Sequence, residues 1–506
     1  MQDNTLLLGI DIGTTGTKCT IYRTNGEQAA HAYTEYPMIH PHEAWTEQDP
    51  HRWWEAVIQN LSDIFKNQGI NNSQIAAIGL SCTNAVTLVD QEGEPVYNAI
   101  GHQDKRADAQ VEWLKEHVGE ELVETITGNK IDKGSFCLPS IKWIFDNKPE
   151  AVSRAYKILM PSGYIIQKLT GRFTMNKPRM SLTILDDIRK GNWSKEIAEK
   201  AGIPISMLPD PCDPAEIVGT VTKEAAAATG LLEGTPVSGG CLDTVVSTMA
   251  SGAVDKGDIA LTIGSSGRIC YISDTLGSDR RMLMSRSPFE GLYTIVQSTD
   301  NAGVSLRWFR DVFGESARAK AKEQSISVYD YMDALAGSVP AGCDGLLYLP
   351  YLAGEKSPIW DSDARGVFFG MSLNSNYNAF IRAIMEGVAF SIRDCIEIIP
   401  KNGASVSSPI PFGGGASRSP LWCQIVADVL NRPIIQLETA ETETLGDMMI
   451  AAQSIGIPEI DRYFGKKLAS NGRLFRPVPE NVSEYNKGFI KYRNIYQHLK
   501  EDFKKN

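Results

Sequence analysis

The chain has 506 residues, enough for two domains of roughly 250 residues each or for three smaller ones. Its 50 basic and 61 acidic residues leave a net charge of −11, and without a long basic run this argues against general nucleic-acid binding. No apolar run approaches the roughly 18 residues of a membrane span, and no basic leader precedes Leu6, so a cytoplasmic protein with no membrane partner is expected. Nine scattered cysteines without a C-x-x-C pair suit free thiols in a reducing compartment better than zinc or disulfides.

The first informative segment is Leu6–Tyr22, where a short apolar strand enters Gly13-Thr14-Thr15-Gly16 and alternation resumes from Lys18. This pattern predicts a hairpin around a tight turn. A helix is predicted over Asp49–Phe65, opening on Asp-Pro and carrying Trp53, Ala56, Val57 and Leu61 at helical spacing. Strands follow over Ile75–Leu80 and Val86–Val89. A second hairpin of the first kind then runs from Asp258 to Ile272 around Gly264-Ser265-Ser266-Gly267. Further helices are predicted over Val304–Phe313, Tyr377–Ile399 and Pro420–Leu430, with another starting near Thr444. The polar, aromatic, Lys-rich tail over 484–506 reads as a surface helix. Mixed strands and helices in both halves give an α/β chain, divided at 1–247 and 248–506.

Glycines in such turns allow positive φ and leave backbone N–H groups uncovered, and hydroxyls beside them add donors, so each loop suits phosphate oxygens. Either loop alone is also what a plain surface hairpin looks like. One copy per half favours a nucleotide held between two similar domains. Neither loop is a Walker A or G-x-G-x-x-G motif.

Three more segments make the pattern specific. They are Gly240-Cys241-Leu242-Asp243, Gly345–Pro358 followed by Asp363–Gly370, and Phe412-Gly413-Gly414-Gly415-Ala416-Ser417-Arg418 through Trp422. With Asp11-x-Gly13-Thr14-Thr15 and Trp45–Pro50, their order and spacing resemble the FGGY carbohydrate kinases over essentially the whole chain. The resemblance implies the two-domain, ribonuclease H-like fold shared with actin and the heat-shock ATPases, with ATP and a sugar in the interdomain cleft. It implies Asp243 as the catalytic carboxylate, also touching the sugar, and Asp11 as the carboxylate that holds Mg²⁺. Thr14, Thr15, Gly264, Ser265 and Ser266 then face phosphates, and Gly414, Gly415 and Ala416 form the adenosine turn. A homodimer is a family-level expectation only.

From the residues alone, Asp243 at a strand end is equally a helix N-cap. Lys18 is either a phosphate contact or a solvated hairpin lysine. Glu355, Arg365, the cysteines and all seven histidines are given no chemistry. Substrate identity falls on the first domain, where the chain departs from its relatives. Thr83-Asn84 stands where xylulokinases and gluconokinases usually have Met-His, and His102-Gln103-Asp104-Lys105-Arg106 replaces Trp-Asn-Asp-x-Arg, keeping Asp104 and Arg106. Thr83, Asn84, Asp104 and Arg106 are the expected sugar contacts. Trp45–Pro50 and the tail look xylulokinase-like, whereas Asn301–Trp308 and Gly345–Pro358 look gluconokinase-like. A keto-pentose such as xylulose is the expected substrate, with gluconate as the alternative. An actin-like ATPase and a nucleotide sensor that has lost catalysis are the competing classes.

Overall fold

Strand β1 (Leu6–Ile12) is buried at every position, which is why it reads as an apolar run and not as an alternation. It pairs antiparallel with β2 (Gly16–Arg23), which pairs with the edge strand β3 (Gln28–Glu35), so the first predicted hairpin lies inside a larger sheet. On its other side β1 runs parallel to β4 (Ile75–Cys82). The sheet is completed by β5 (Ile217–Thr220), β6 (Pro236–Ser238) and the short β7 (Cys241–Leu242), in the order β5-β6-β4-β1-β2-β3 with β7 also on β4. Helix α1 (Pro50–Asn67) begins one residue after its cap, Asp49, whose carboxylate accepts from His51 N–H at 3.0 Å. A computed structural model provides these coordinates and describes residues 5–277, 279, 281–399, 406–438 and 441–504.

The second half repeats the scheme. After α2 (Asp243–Ala250), the hairpin β8 (Ile259–Ile263) and β9 (Gly267–Ser273) sits in a sheet with β10 (Leu283–Arg286), β11 (Tyr293–Thr299), β12 (Ile410–Gly413), β13 (Ile434–Gln436) and β14 (Leu474–Phe475). Its order is β10-β11-β9-β8-β12-β13-β14, again antiparallel around the hairpin and parallel on the far side of its first strand. The predicted helices are α3 (Gly303–Phe313), α4 (Tyr377–Glu397), α5 (Pro420–Leu430) and α6 (Thr442–Ser454).

The halves are joined by a shared core of Leu7, Ala77, Val245, Val246, Met249, Leu445, Met448 and Met449. Helix α6, from the second half, lies directly on β1 and β4 of the first. A Cβ at Gly79 would come within 1.9 Å of the Asp447 carbonyl, and one at Gly9 within 2.3 Å of the Thr444 carbonyl. Two α/β halves, each built around one glycine hairpin, therefore meet at a common core.

The tail is corrected. It forms α7 (Pro479–Phe503), but Tyr485, Phe489, Tyr492, Ile495 and Tyr496 are buried in the second core. The Lys-rich face hid an apolar one. Residues 505 and 506 of that expectation lie outside the described residues. All nine cysteines are free and buried. Among the described residues no helix is long and apolar enough to cross a membrane.

Candidate active site

Each hairpin turn joins its two strands at one end of its sheet and is held by a few backbone hydrogen bonds. In the first, Gly13 N–H donates to Gly16 O at 2.9 Å, and Tyr36 Oη donates to Gly13 O at 2.7 Å. In the second, Gly264 N–H donates to Ser266 O at 2.9 Å, while the first turn of α3 donates to Gly264 O and Ser265 O. Thr15, Gly264, Ser265 and Ser266 are exposed and Thr14 is half-buried. One premise needs correction: none of Gly13, Gly16, Gly264 and Gly267 has positive φ. Gly13, Gly16 and Gly267 are required by close approach, since a Cβ at Gly16 would strike the Tyr33 ring at 2.5 Å.

Positive φ is used at the turn expected to meet adenosine, where Gly414 has φ +87° and its Cβ would lie 2.5 Å from Ile263 O. That contact ties the turn to the strand entering the second loop. Both open into one cavity of about 490 Å³ lined by Gly264, Ser265, Arg307, Asp333, Gly415 and Ala416. Gly414→Ala is expected to cost at least about 1–2 kcal/mol, the left-handed penalty before any clash. Urea denaturation checks this; an unchanged midpoint with unchanged slope would refute it.

Asp243 is the first residue of α2, and the capping position is Leu242. Asp243 therefore does not cap the helix. Its Oδ1 accepts from Thr244 N–H at 2.6 Å and Thr244 Oγ1 at 3.2 Å. That leaves Oδ2 without a described protein donor on a half-buried side chain. Gly240, with φ +71°, sets the approach, because a Cβ there would meet Leu80 O at 2.6 Å.

Asp11 ends β1 beneath the first loop. The Ser81 hydroxyl lies 3.2 Å from Asp11 Oδ1 and 3.0 Å from Asp447 Oδ2, linking a carboxylate of each half. One hydroxyl carries one proton, so both bonds exist together only when a carboxyl supplies the second. Burial holds Asp447 well above the ordinary carboxylate range, which suits it as that donor. Burial first, then Glu443 and Asp243, raises Asp11 to about 7 against the pull of Lys18 and Ser81. Asp447 and Glu443 were missed in the sequence because only α6, over 400 residues away, brings them here.

The folded value for Asp11 lies above its unfolded one. Its contribution to the stability of the ligand-free protein is therefore full below pH 3.8 and is lost as pH rises through about 7. Relative to Asp11→Asn, the wild-type denaturation midpoint is expected to fall between pH 5 and pH 8. A parallel pair of curves would exclude this.

Lys18 is not solvated. It ion-pairs with Glu441 at 2.7 Å, its side chain about one-third exposed. Thr83 lies 3.0 Å from Thr14 Oγ1 and 3.5 Å from His102 Nδ1. Asn84 is turned inward: its amide donates to Gly134 O and Ser135 O and its oxygen accepts from Cys137 Sγ and Arg179. The expectation that Asp104 and Arg106 contact the sugar is corrected too. Their side chains are 1% and 0% exposed, joined at 2.7 Å, with Arg106 also 2.7 Å from Glu47. They sit behind the loop that carries His102. His102, given no chemistry from the sequence, is solvent-accessible but sits in a crevice where Asp243, Lys356 and Arg268 act on it. Desolvation in that crevice, outweighing Asp243, makes the imidazole less basic than a free one.

A two-lobed α/β scaffold with a glycine hairpin in each lobe and the Asp243 carboxylate beside their shared core has the arrangement of a two-domain phosphotransferase. The FGGY N-terminal domain of carbohydrate kinases matches residues 6–250 and the FGGY C-terminal domain residues 260–455. The chain belongs to the FGGY family of carbohydrate kinases. It is 30% identical to the xylulose kinase of Bacillus subtilis (98% of this chain, 97% of that one). It is also 30% identical to that organism's gluconokinase (95% and 93%). Among solved structures it resembles a gluconate kinase from Lactobacillus acidophilus, with TM-score 0.89, 26% identity and 99% of both chains covered. A ligand-bound xylulose kinase from the same organism also gives 0.89, at 27% identity and 99% of both chains. The actin-type alternative is set aside by these full-length matches.

Proposed function

We propose that this kinase transfers the γ-phosphoryl group of ATP to a hydroxyl of a linear sugar, a keto-pentose such as xylulose. The observation that carries the reading is Asp243, whose unengaged Oδ2 sits at the start of α2 near Asp11 and His102. It would accept the proton of the attacking hydroxyl. Thr83 and His102 offer hydrogen bonds to the sugar, and Asp104–Arg106 positions the His102 loop. Thr14, Thr15, Ser265 and Ser266 offer donors to the phosphates, and Gly415 and Ala416, after Gly414 in the same turn, border the nucleoside cavity.

Mg²⁺ would be held by Asp11 together with phosphate oxygens, the usual way this ion uses one or two carboxylates. The fit is reasonable: Asp11 adjoins the first loop, and Asp447 Oδ1 is buried without a partner. Among the described residues no group of three or more His, Cys, Asp or Glu forms a metal cage of its own. When bound, the ion would neutralise charge on the phosphates.

Gluconate is the second reading, favoured by exposed Lys356 near His102. An ADP-release screen over ketopentoses, aldonates and polyols decides between them. ADP release without sugar is expected to be slow, since lobe closure completes the site only around the polyol. Equal release with and without every sugar would refute the kinase reading.

A further inference from the structure

We propose that Arg268 binds the phosphoryl group in flight, neutralising charge between the nucleotide and Asp243. The proposal rests on the kinase reading above. Arg268 is the first residue after the second phosphate loop. Strand register places its side chain on the same face of the sheet as Thr262 of β8 and Ser298 of β11. Gly267 faces the other way, where a Cβ would meet Thr299 Oγ1 at 2.7 Å and Ile392 Cδ1 at 2.9 Å, inside the second domain. Two residues further along Arg268's own face, the Cys270 thiol meets the Thr248 hydroxyl of α2. Arg268 therefore lies on the sheet face that meets α2, the helix that begins with Asp243.

Its guanidinium is half-buried and has no hydrogen-bond acceptor among the described residues. Other buried arginines here are all engaged: Arg106 with Asp104 and Glu47, Arg382 with Glu386 and Tyr485, and Arg179 with Cys82 O. The anions acting on Arg268 are Asp243 first, then Glu443 and Asp11. A triphosphate entering beside these carboxylates is repelled unless cations face it. Lys18 is already tied to Glu441. Arg268, with no acceptor of its own among the described residues, is then free to face the triphosphate, with a planar donor fork that matches phosphoryl oxygens.

In the transfer, a bond forms between the sugar oxygen and the γ-phosphorus. The bond from that phosphorus to the β,γ-bridging oxygen breaks, and its electron pair leaves with ADP. The hydroxyl proton goes to Asp243. Negative charge spreads over the phosphoryl oxygens throughout, and a fixed cation there stabilises the transition state more than the ground state.

The test compares full-length wild type with Arg268→Ala and Arg268→Lys. Measured are kcat and KM for xylulose and gluconate, ATP affinity by calorimetry, affinity for ADP with aluminium fluoride plus sugar, and the melting temperature. For Arg268→Ala, kcat is expected to fall about 10²–10³-fold, the scale of losing one transition-state donor, with ATP affinity and melting nearly unchanged. Affinity for the fluoride complex should fall in step, and added guanidine should restore part of kcat. Arg268→Lys should be intermediate.

A rise in KM confined to gluconate, with kcat intact, would assign Arg268 to a sugar carboxylate and overturn the proposal. A change in melting alone would make it structural and overturn it equally. If wild type turns over no sugar, the kinase reading fails. The assignment then falls with it, whereas wild-type turnover with kcat and fluoride-complex affinity unchanged in Arg268→Ala overturns the assignment alone.

Discussion

Asp243→Ala is expected to lower kcat by at least about 10²-fold while ATP binding is largely kept, as loss of a general base requires. The geometry separates these two effects. Asp243 stands at the start of α2, whereas the cavity beneath Gly414 and Gly415 is built from α3, α5 and the second loop. Removing the carboxylate should leave that cavity intact. It also removes a like charge from beside Asp11, which Asp243 helps to raise. Mg²⁺-dependent ATP affinity should therefore stay level or tighten slightly. Steady-state kinetics with a substrate found in the screen, paired with calorimetry, provide the check. Near-normal turnover would remove Asp243 from the mechanism.

Arg106→Ala should be the most damaging single change to stability, about 3–5 kcal/mol, the cost of stranding a buried counter-charge. Its guanidinium lies 3.9 Å from the Trp45 ring centre and 4.8 Å from that of Trp143. It bridges Asp104 to Glu47, and Glu47 also accepts from Tyr97 Oη and Asn98 Nδ2, both at 2.9 Å. Removal strands two carboxylates and opens a gap between two indoles. Chemical denaturation of Arg106→Ala and Arg106→Lys measures the loss, with lysine intermediate because it keeps the charge without the planar fork. An unchanged denaturation midpoint with a raised sugar KM would instead return Arg106 to the sugar-binding surface.

The sequence determined whatever depends on near neighbours. Both glycine hairpins, the Asp-Pro start of α1 and the span of α5 follow from turn chemistry and periodicity within a dozen residues. Asp243, read as a strand-end residue, follows the two-residue strand β7 and is the first residue of α2. Tertiary structure alone decided which polar side chains are free to act. Asp104, Arg106 and Asn84 look like sugar readers in the chain, but folding matches them to Glu47, Trp45, Gly134 and Ser135. His102 and Arg268 look ordinary until the two halves bring them toward the same carboxylate. The physical reason is that a charged or polar group must satisfy its bonds somewhere, and the partner that does so can lie hundreds of residues away, as Asp447 does from Ser81.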